Sequence, residues 1–197
     1  MRLNYFDLGL FDGKEVDVFL SEAKKFNRDI VVHGFEAHPE YAKKIAVRFS
    51  HQPNVNIHNL AISDANGEEK LYLEKSGHGN SIYSSKNNID INNYFVVPSI
   101  SFPDWLKKNV PNYKNEINVI RFNIEGAELP LIEQMVKTGI HKDFDLFLGA
   151  KEGEDILKVG EIANKYEYYL SILRDNNIKI HQFCFTLSNN ISLEPFF

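Results

Sequence analysis

Residues 3–13 read Leu-Asn-Tyr-Phe-Asp-Leu-Gly-Leu-Phe-Asp-Gly, and this stretch decides the fold class. Leu3 to Leu8 predicts a strand that ends at Gly9, and the two glycines of the following turn allow the backbone to approach a ligand. After Gly13 the residues that recur at helical spacing are Val16, Phe19, Leu20, Ala23 and Phe26. This spacing predicts a helix with one buried face, so the stretch begins a unit of the kind that builds parallel sheets.

The same alternation of strands and helices continues along the chain. The further predicted strands are Ile30 to Phe35, Val55 to Ile62, Lys70 to Leu73, Tyr94 to Ile100, Asn118 to Ile124, Phe144 to Ala150, Tyr168 to Leu173 and Ile178 to Leu187. The further predicted helices begin near Pro39 and Ser101, end at Gly139, and cover Ile156 to Ala163. The last two strands are predicted to form an antiparallel hairpin. We expect one α/β domain over residues 1–197, with a mostly parallel sheet and helices on both faces.

Composition excludes several classes of protein. Hydrophobic residues make up 43% of the 197 residues, which is enough for a core and argues against disorder. The net charge of −5 offers no basic field for nucleic acid, and no apolar run is long enough to span a membrane. A single cysteine, Cys184, and an N-terminus without an apolar signal-like run predict a cytoplasmic setting.

Polar residues follow four predicted strands, at the sheet edge where open parallel sheets bind ligands. They are Asp7 with Gly9 and Gly13, then Glu36, then Asp64, and finally Asn123 with Glu125 and Glu128. A carboxylate at the position of Glu36 can accept hydrogen bonds from ribose hydroxyls, and Asp64 is placed to read the amine of an adenine. Both residues have a structural alternative: Glu36 as a solvated acid at a helix N-terminus, and Asp64 as a turn residue. A polar loop over Lys75 to Asn93 is a candidate lid, in particular from His78 to Tyr83.

Taken together, these motifs resemble the FkbM family of S-adenosylmethionine-dependent methyltransferases. The matching stretches are residues 6–13 (FDLGLFDG), 34–39 (GFEAHP), 60–64 (LAISD), 79–83 (GNSIY) and 122–128 (FNIEGAE). The resemblance implies a class I, Rossmann-like methyltransferase fold with a seven-stranded sheet, and O-methylation of a hydroxyl on a sugar, glycan or small natural product.

The resemblance also implies roles for single residues. Asp7, Gly9 and Gly13 would surround the methionine end of S-adenosylmethionine, Glu36 would hold the ribose and Asp64 would reach the adenine. Asn123 and Glu125 would border the reacting centre. Three departures from the family pattern stand out. Phe11 would crowd the cofactor or line a more apolar pocket, and Asn123 replaces an aspartate and so carries no charge. After the fifth strand the family often has Glu-x-His, whereas this chain has Leu148-Gly149-Ala150-Lys151.

The candidate general bases are Glu125, Glu128 and His78, each of which has the alternative of being a surface residue. No spacing of histidines or carboxylates indicates a metal site. Two rival functions remain open. One is a binding protein or partner subunit that keeps the fold without catalysis, and the other is a nicotinamide-dependent oxidoreductase, which the lack of a G-x-G-x-x-G turn disfavours.

Overall fold

A computed structural model describes residues 1–26, 28–75, 77, 79–149 and 151–182. The strands are β1 (Leu3–Leu8), β2 (Ile30–Phe35), β3 (Val55–His58), β4 (Ala61–Ser63), β5 (Gly67–Glu74), β6 (Ile89–Ser101), β7 (Ile117–Phe122), β8 (Leu146–Gly149) and β9 (Ile180–Gln182). The α-helices are α1 (Lys14–Ala23), α2 (Pro39–Arg48), α3 (Phe102–Asn109), α4 (Glu128–Thr138) and α5 (Tyr166–Asp175). Short 3₁₀ segments cover Lys24–Phe26, Tyr113–Asn115, Ile140–Asp143, Lys151–Lys158 and Ala163–Lys165.

Six strands form the main sheet, in the order β3-β2-β1-β7-β8-β9. Every neighbouring pair in it is parallel. The chain moves from β1 outward to β2 and β3, then returns to the other side of β1 with β7, so the strand order reverses between β1 and β7. Ligand sites in open parallel sheets lie at such a reversal, outside the carboxyl ends of the strands.

Alternate residues of the central strands feed two apolar layers, one on each face of the sheet. On one face Phe6 joins a cluster with residues of α3, α4 and α5. On the other, Tyr5 packs under α1, where its ring stacks on Phe19 with centroids 3.8 Å apart. This period of two places neighbouring residues of β1 in different environments, which matters for Asp7 below.

A smaller sheet, in the order β4-β6-β5, corrects the prediction of a continuous strand from Val55 to Ile62. The chain leaves the main sheet after His58, where the side-chain amide of Asn59 donates to the carbonyl oxygens of Glu36 and Ala37 at 2.8 and 2.9 Å. β4 then pairs with β6 in the smaller sheet. The polar loop is also shorter than predicted, because β6 already begins at Ile89.

The C-terminal hairpin prediction is wrong. Tyr168–Leu173 lies inside α5, whose buried residues Tyr169, Ile172 and Leu173 have the spacing of a helix face rather than of a strand. Of the second predicted strand, Ile180–Gln182 is present and pairs in parallel with β8, while residues 183–187 lie outside the described residues, as does Cys184. The predicted seven strands are therefore not confirmed, since the described part of the main sheet has six.

The helix predicted over Ile156 to Ala163 is replaced by 3₁₀ segments. Backbone N–H groups of this segment bond three residues back, from Val159 to Ile156 at 3.2 Å and from Ile162 to Val159 at 3.1 Å, which is the 3₁₀ spacing. The predicted end of α4 at Gly139 is confirmed, with a φ of 76° at that glycine. Among the helices of the described residues, none combines the length and apolar character that a membrane span requires.

Candidate active site

A crevice of about 650 Å³, counting its open mouth, lies at the carboxyl ends of β1, β2 and β7. Its polar or strand-end lining residues include Gly9, Phe11, Glu36, Tyr41, Asn80, Ser81, Asn123 and Glu125. Its apolar lining residues include Phe35, Ala37, Leu60, Ala61, Ile62, Leu71, Ile82, Ile124 and Ala127. The crevice therefore combines an apolar slot with a few polar groups, which is typical of small-molecule sites.

Gly9 is where the ends of β1 and β7 come into contact. Its φ is 90°, and a Cβ added there would lie 2.1 Å from the carbonyl oxygen of Asn123. The backbone N–H of Asn123 donates to the carbonyl of Leu8 at 2.9 Å. Because a side chain at residue 9 would collide with backbone, only glycine fits this approach.

Glu36 holds the two turns that border the crevice. Its Oε2 accepts the backbone N–H of Phe11 at 2.7 Å, and its Oε1 accepts that of His38 at 2.8 Å. The residue is only 8% exposed. Burial raises the pKa of Glu36 to about 7, against the opposing effect of the two N–H donors. The structure thus brings Glu36, Gly9 and Asn123 into one crevice, as the sequence predicted.

Three other predicted cofactor residues lie outside the lining of this crevice, although all three are described. Asp7 lies with Tyr5 on the face of the sheet that α1 covers. There it is fully buried, and its Oδ1 pairs with Arg121 Nη1 at 2.7 Å. Gly13, with a φ of 72°, precedes α1 and faces the ring of Phe49. Asp64 is exposed after β4 and lines a different groove.

Asp7 does not line the crevice but supports it through Arg121, which contacts the turn at Gly9. The hydroxyl of Tyr5 donates to its Oδ2 at 3.2 Å, and Arg121 also reaches Glu15 of α1 at 3.4 Å. Arg121 Nη1 further donates to the carbonyl of Gly9 at 3.1 Å. Burial raises the pKa of Asp7, with Arg121 opposing this effect. The buried charges therefore fix the turn that carries Gly9.

Glu128, a predicted base, has both carboxylate oxygens engaged by the turn before α4. Oε1 accepts the N–H of Ile124 at 2.8 Å and Oε2 that of Gly126 at 2.7 Å. Glu128 is 2% exposed, and burial raises its pKa to about 7. It is a cap of this turn and is not part of the crevice lining given by the described residues.

Glu125 does line the crevice, and it has a partner that the sequence analysis missed. Lys86 Nζ lies 2.9 Å from Glu125 Oε2, and the two side chains are 5% and 18% exposed. The same ammonium donates to the carbonyl of Gly79 at 2.7 Å. Burial raises the pKa of Glu125, repulsion from Asp155 adds to this, and Lys86 opposes it. His78, the third predicted base, lies outside the described residues.

Backbone and side-chain hydrogen bonds connect the segment predicted as a lid to residues around the crevice. Ser81 forms a bridge with Tyr72 of β5, and its hydroxyl donates to the carbonyl of Glu125 at 2.8 Å. The hydroxyl of Tyr41 on α2 donates to the carbonyl of Gly77 at 3.2 Å. The two side-chain hydrogen bonds have no local sequence signal, because each joins residues at least 36 positions apart.

Phe11 lines the crevice wall, which is one of the two outcomes considered for it. Its φ is 51°, and its ring meets Tyr41 edge-on with centroids 5.4 Å apart. Phe11 remains 37% exposed. Its ring therefore adds apolar surface at the mouth, and the crevice remains open.

Within the ranges that the structure describes, no group of three or more histidine, cysteine or acidic residues is arranged to hold a metal ion. The polar chemistry of the crevice is instead carboxylate, amide and backbone. Such groups bind hydroxyl and amino groups of a ligand through hydrogen bonds.

No curated protein and no solved structure matches the chain. The family model described as "Methyltransferase FkbM domain" matches residues 7–148, a range that contains Gly9, Glu36, Asn123 and Glu125 and covers more than half of the chain. Since the match spans both halves of the main sheet and the crevice between them, the chain belongs to the FkbM methyltransferase family.

Proposed function

We propose that this FkbM methyltransferase uses S-adenosylmethionine and transfers a methyl group to a hydroxyl on a sugar, glycan or small natural product. The observation that carries the proposal is the convergence of Gly9, Glu36 and Asn123 in one crevice of a chain from this family. The choice of a hydroxyl oxygen as acceptor rests on the resemblance to the family.

The residues present fit an adenosyl group. Glu36 supplies a carboxylate in the wall, fixed by two backbone N–H groups and suited to accept hydrogen bonds from a ribose diol. Ala61, Ile62 and Leu71 give an apolar slot of the kind that takes a flat aromatic ring. The turn at Gly9 lines the crevice with backbone and no side chain, which suits the amino acid end.

When bound, S-adenosylmethionine supplies an electrophilic methyl group on a sulfonium, with a neutral thioether as leaving group. The chain's contribution is then alignment of the acceptor oxygen and removal of its proton. Glu125 lies at the rim with its carboxylate held by Lys86, so it is our candidate for the group that takes this proton. Asn123 is an uncharged amide and can orient an acceptor but not deprotonate it.

Isothermal titration calorimetry with S-adenosylhomocysteine tests the proposal. We expect one binding site per chain, and NAD, titrated as a control, should give no heat. Lack of binding to S-adenosylhomocysteine would exclude the proposed activity, and binding of NAD in its place would favour an oxidoreductase. Binding of the donor without methyl transfer to any hydroxylated acceptor would favour the alternative of a partner subunit, which the uncharged Asn123 also favours.

A further inference from the structure

A second cavity shares Glu125 with the crevice and is otherwise lined mostly by residues of the polar loop. We call it the loop-side groove and define it by Lys86, Asn87, Asn88, Glu125 and Lys158. Its cavity volume is about 410 Å³, which lies in the range of small-molecule sites. Apart from Glu125, the lining residues given for this groove are not those of the crevice.

Glu125 connects the two cavities, because it lines both of them. Its φ of 56° is unusual for a residue with a side chain, and its carboxylate is held by Lys86 at 2.9 Å. A Cβ on Gly79 would lie 2.7 Å from Lys86 Nζ and 3.4 Å from Glu125 Oε2. The chain therefore passes closely over this ion pair, with glycine as the residue that leaves it room.

The groove is preformed by backbone contacts between the loop and the segment after β8. The N–H of Asn87 donates to the carbonyl of Lys158 at 2.9 Å, and Lys86 forms a bridge with Val159. The N–H of Gly160 donates to the carbonyl of Ser85 at 3.2 Å. A site that is already ordered loses less entropy when a ligand binds.

The charges of the groove are balanced within the protein. Lys86 pairs with Glu125, and Lys158 pairs with Asp155 at 2.5 Å. Glu74 adds a further carboxylate to the lining. Because the ammonium groups are already matched by carboxylates, the groove has no surplus positive charge for a phosphate or carboxylate. Its amides and paired ions still offer donors and acceptors to hydroxyl groups.

We propose that the loop-side groove is the acceptor subsite and that it takes an uncharged, hydroxyl-rich acceptor while discriminating against anionic versions of the same molecule. The inference rests on the proposed function. The acceptor hydroxyl lies at Glu125, where the two cavities meet. As its oxygen forms the bond to the methyl carbon, the carbon–sulfur bond of the sulfonium donor breaks with its electron pair going to sulfur, and the hydroxyl proton passes to Glu125.

Chemical-shift mapping on the ¹⁵N-labelled chain tests this subsite without any turnover. S-adenosylhomocysteine is titrated first, followed by the methyl glycosides of glucose, galactose, mannose and rhamnose up to their solubility. We expect at least one glycoside to shift the amides of Asn87, Asn88 and Lys158. Glucose 6-phosphate and methyl glucuronide, the anionic probes, should shift them less than the neutral glycosides do.

The variant Asn87→Trp fills the groove and should abolish these shifts, whereas Asn93→Trp, at an exposed position of β6, should retain them. No groove shift with any neutral glycoside, or larger shifts with the anionic probes, would overturn the inference. A failure of S-adenosylhomocysteine to shift Gly9, Glu36 and Asn123 would instead count against the proposed function. The two failures are thus distinguished within one titration.

Discussion

Replacing Glu36 with glutamine separates its role in holding the turns from its proposed role toward the donor. Both carboxylate oxygens of Glu36 accept a backbone N–H, from Phe11 and from His38. Glutamine keeps one acceptor oxygen and places an NH₂ group opposite the other N–H. The Glu36→Gln variant therefore removes the charge and leaves one backbone donor without its partner, while the size of the side chain is conserved.

The expected effects follow from these contacts. One stranded N–H lowers the free energy of unfolding by about 1–3 kcal/mol, and a lost charged hydrogen bond to ribose weakens donor binding by about 1.5–3 kcal/mol. The latter corresponds to a rise of roughly 10- to 150-fold in Kd. Since the pKa of Glu36 is about 7, a ligand that needs the ionised carboxylate binds less tightly below that pH. The Kd of the wild type should rise about tenfold for each pH unit below that pKa, and that of Glu36→Gln should not.

The assay is calorimetry with S-adenosylhomocysteine across this pH range, together with urea unfolding. Glu40→Gln is the matched control, because Glu40 is an exposed glutamate in the first turn of α2. We expect it to leave both the Kd and the stability close to wild type. If Glu36→Gln loses stability but binds the donor product with an unchanged, equally pH-dependent Kd, the carboxylate only holds the turns and the ribose assignment is refuted.

Three further predictions concern stability. Gly9→Ala should prevent folding or destabilise the protein by far more than Gly139→Ala. A Cβ meets the Asn123 carbonyl in the first variant and nothing within 4 Å in the second. The Gly139→Ala control carries only the left-handed backbone cost of about 1–2 kcal/mol, and equal melting temperatures of the two variants would contradict the close approach. Glu128→Gln should lower the free energy of unfolding by about 1–3 kcal/mol, whereas the exposed Glu167→Gln should not, as measured by urea unfolding. His33 stays neutral in the folded state, because its pKa is lowered to about 4, chiefly by burial. Its contribution to stability should therefore fall by about 3 kcal/mol as pH drops from 6.5 toward 4. Urea unfolding of the wild type and of His33→Gln should show this difference, and parallel pH profiles of the two proteins would refute it.

Local chemistry explains why the first half of the fold was predictable. β1, β2 and the helices after them have buried runs and turn residues within a few positions, and the structure has the same elements. Gly9 and Glu36 could be recognised as candidate site residues because each directly follows a predicted strand. Both residues lie at the ends of strands, so a parallel sheet brings them together without further information.

The elements that failed depend on partners distant in sequence. Tyr168–Leu173 is apolar except at Ser171, which suits a buried strand, and only the packing of α5 selects the helix. Asn59 ends β3 through carbonyls of residues 36 and 37. Asp7 was assigned to the cofactor, but the alternation along β1 turns it toward Arg121, which lies 114 positions away. The pairing of Lys86 with Glu125 is equally non-local.

Three glutamates of the strand-end turns differ in how firmly their carboxylates are held. Glu36 and Glu128 are bound to backbone N–H groups, whose positions are set by the sheet and helices. Glu125 is bound to the side chain of Lys86, whose ammonium also donates to the carbonyl of Gly79, so loss of this pair leaves no backbone N–H unpaired. A carboxylate that must accept a proton and then release it needs such a replaceable partner, since backbone donors would be left unpaired by protonation. For that reason we propose Glu125, rather than the more deeply buried Glu128, as the carboxylate for proton transfer at this site.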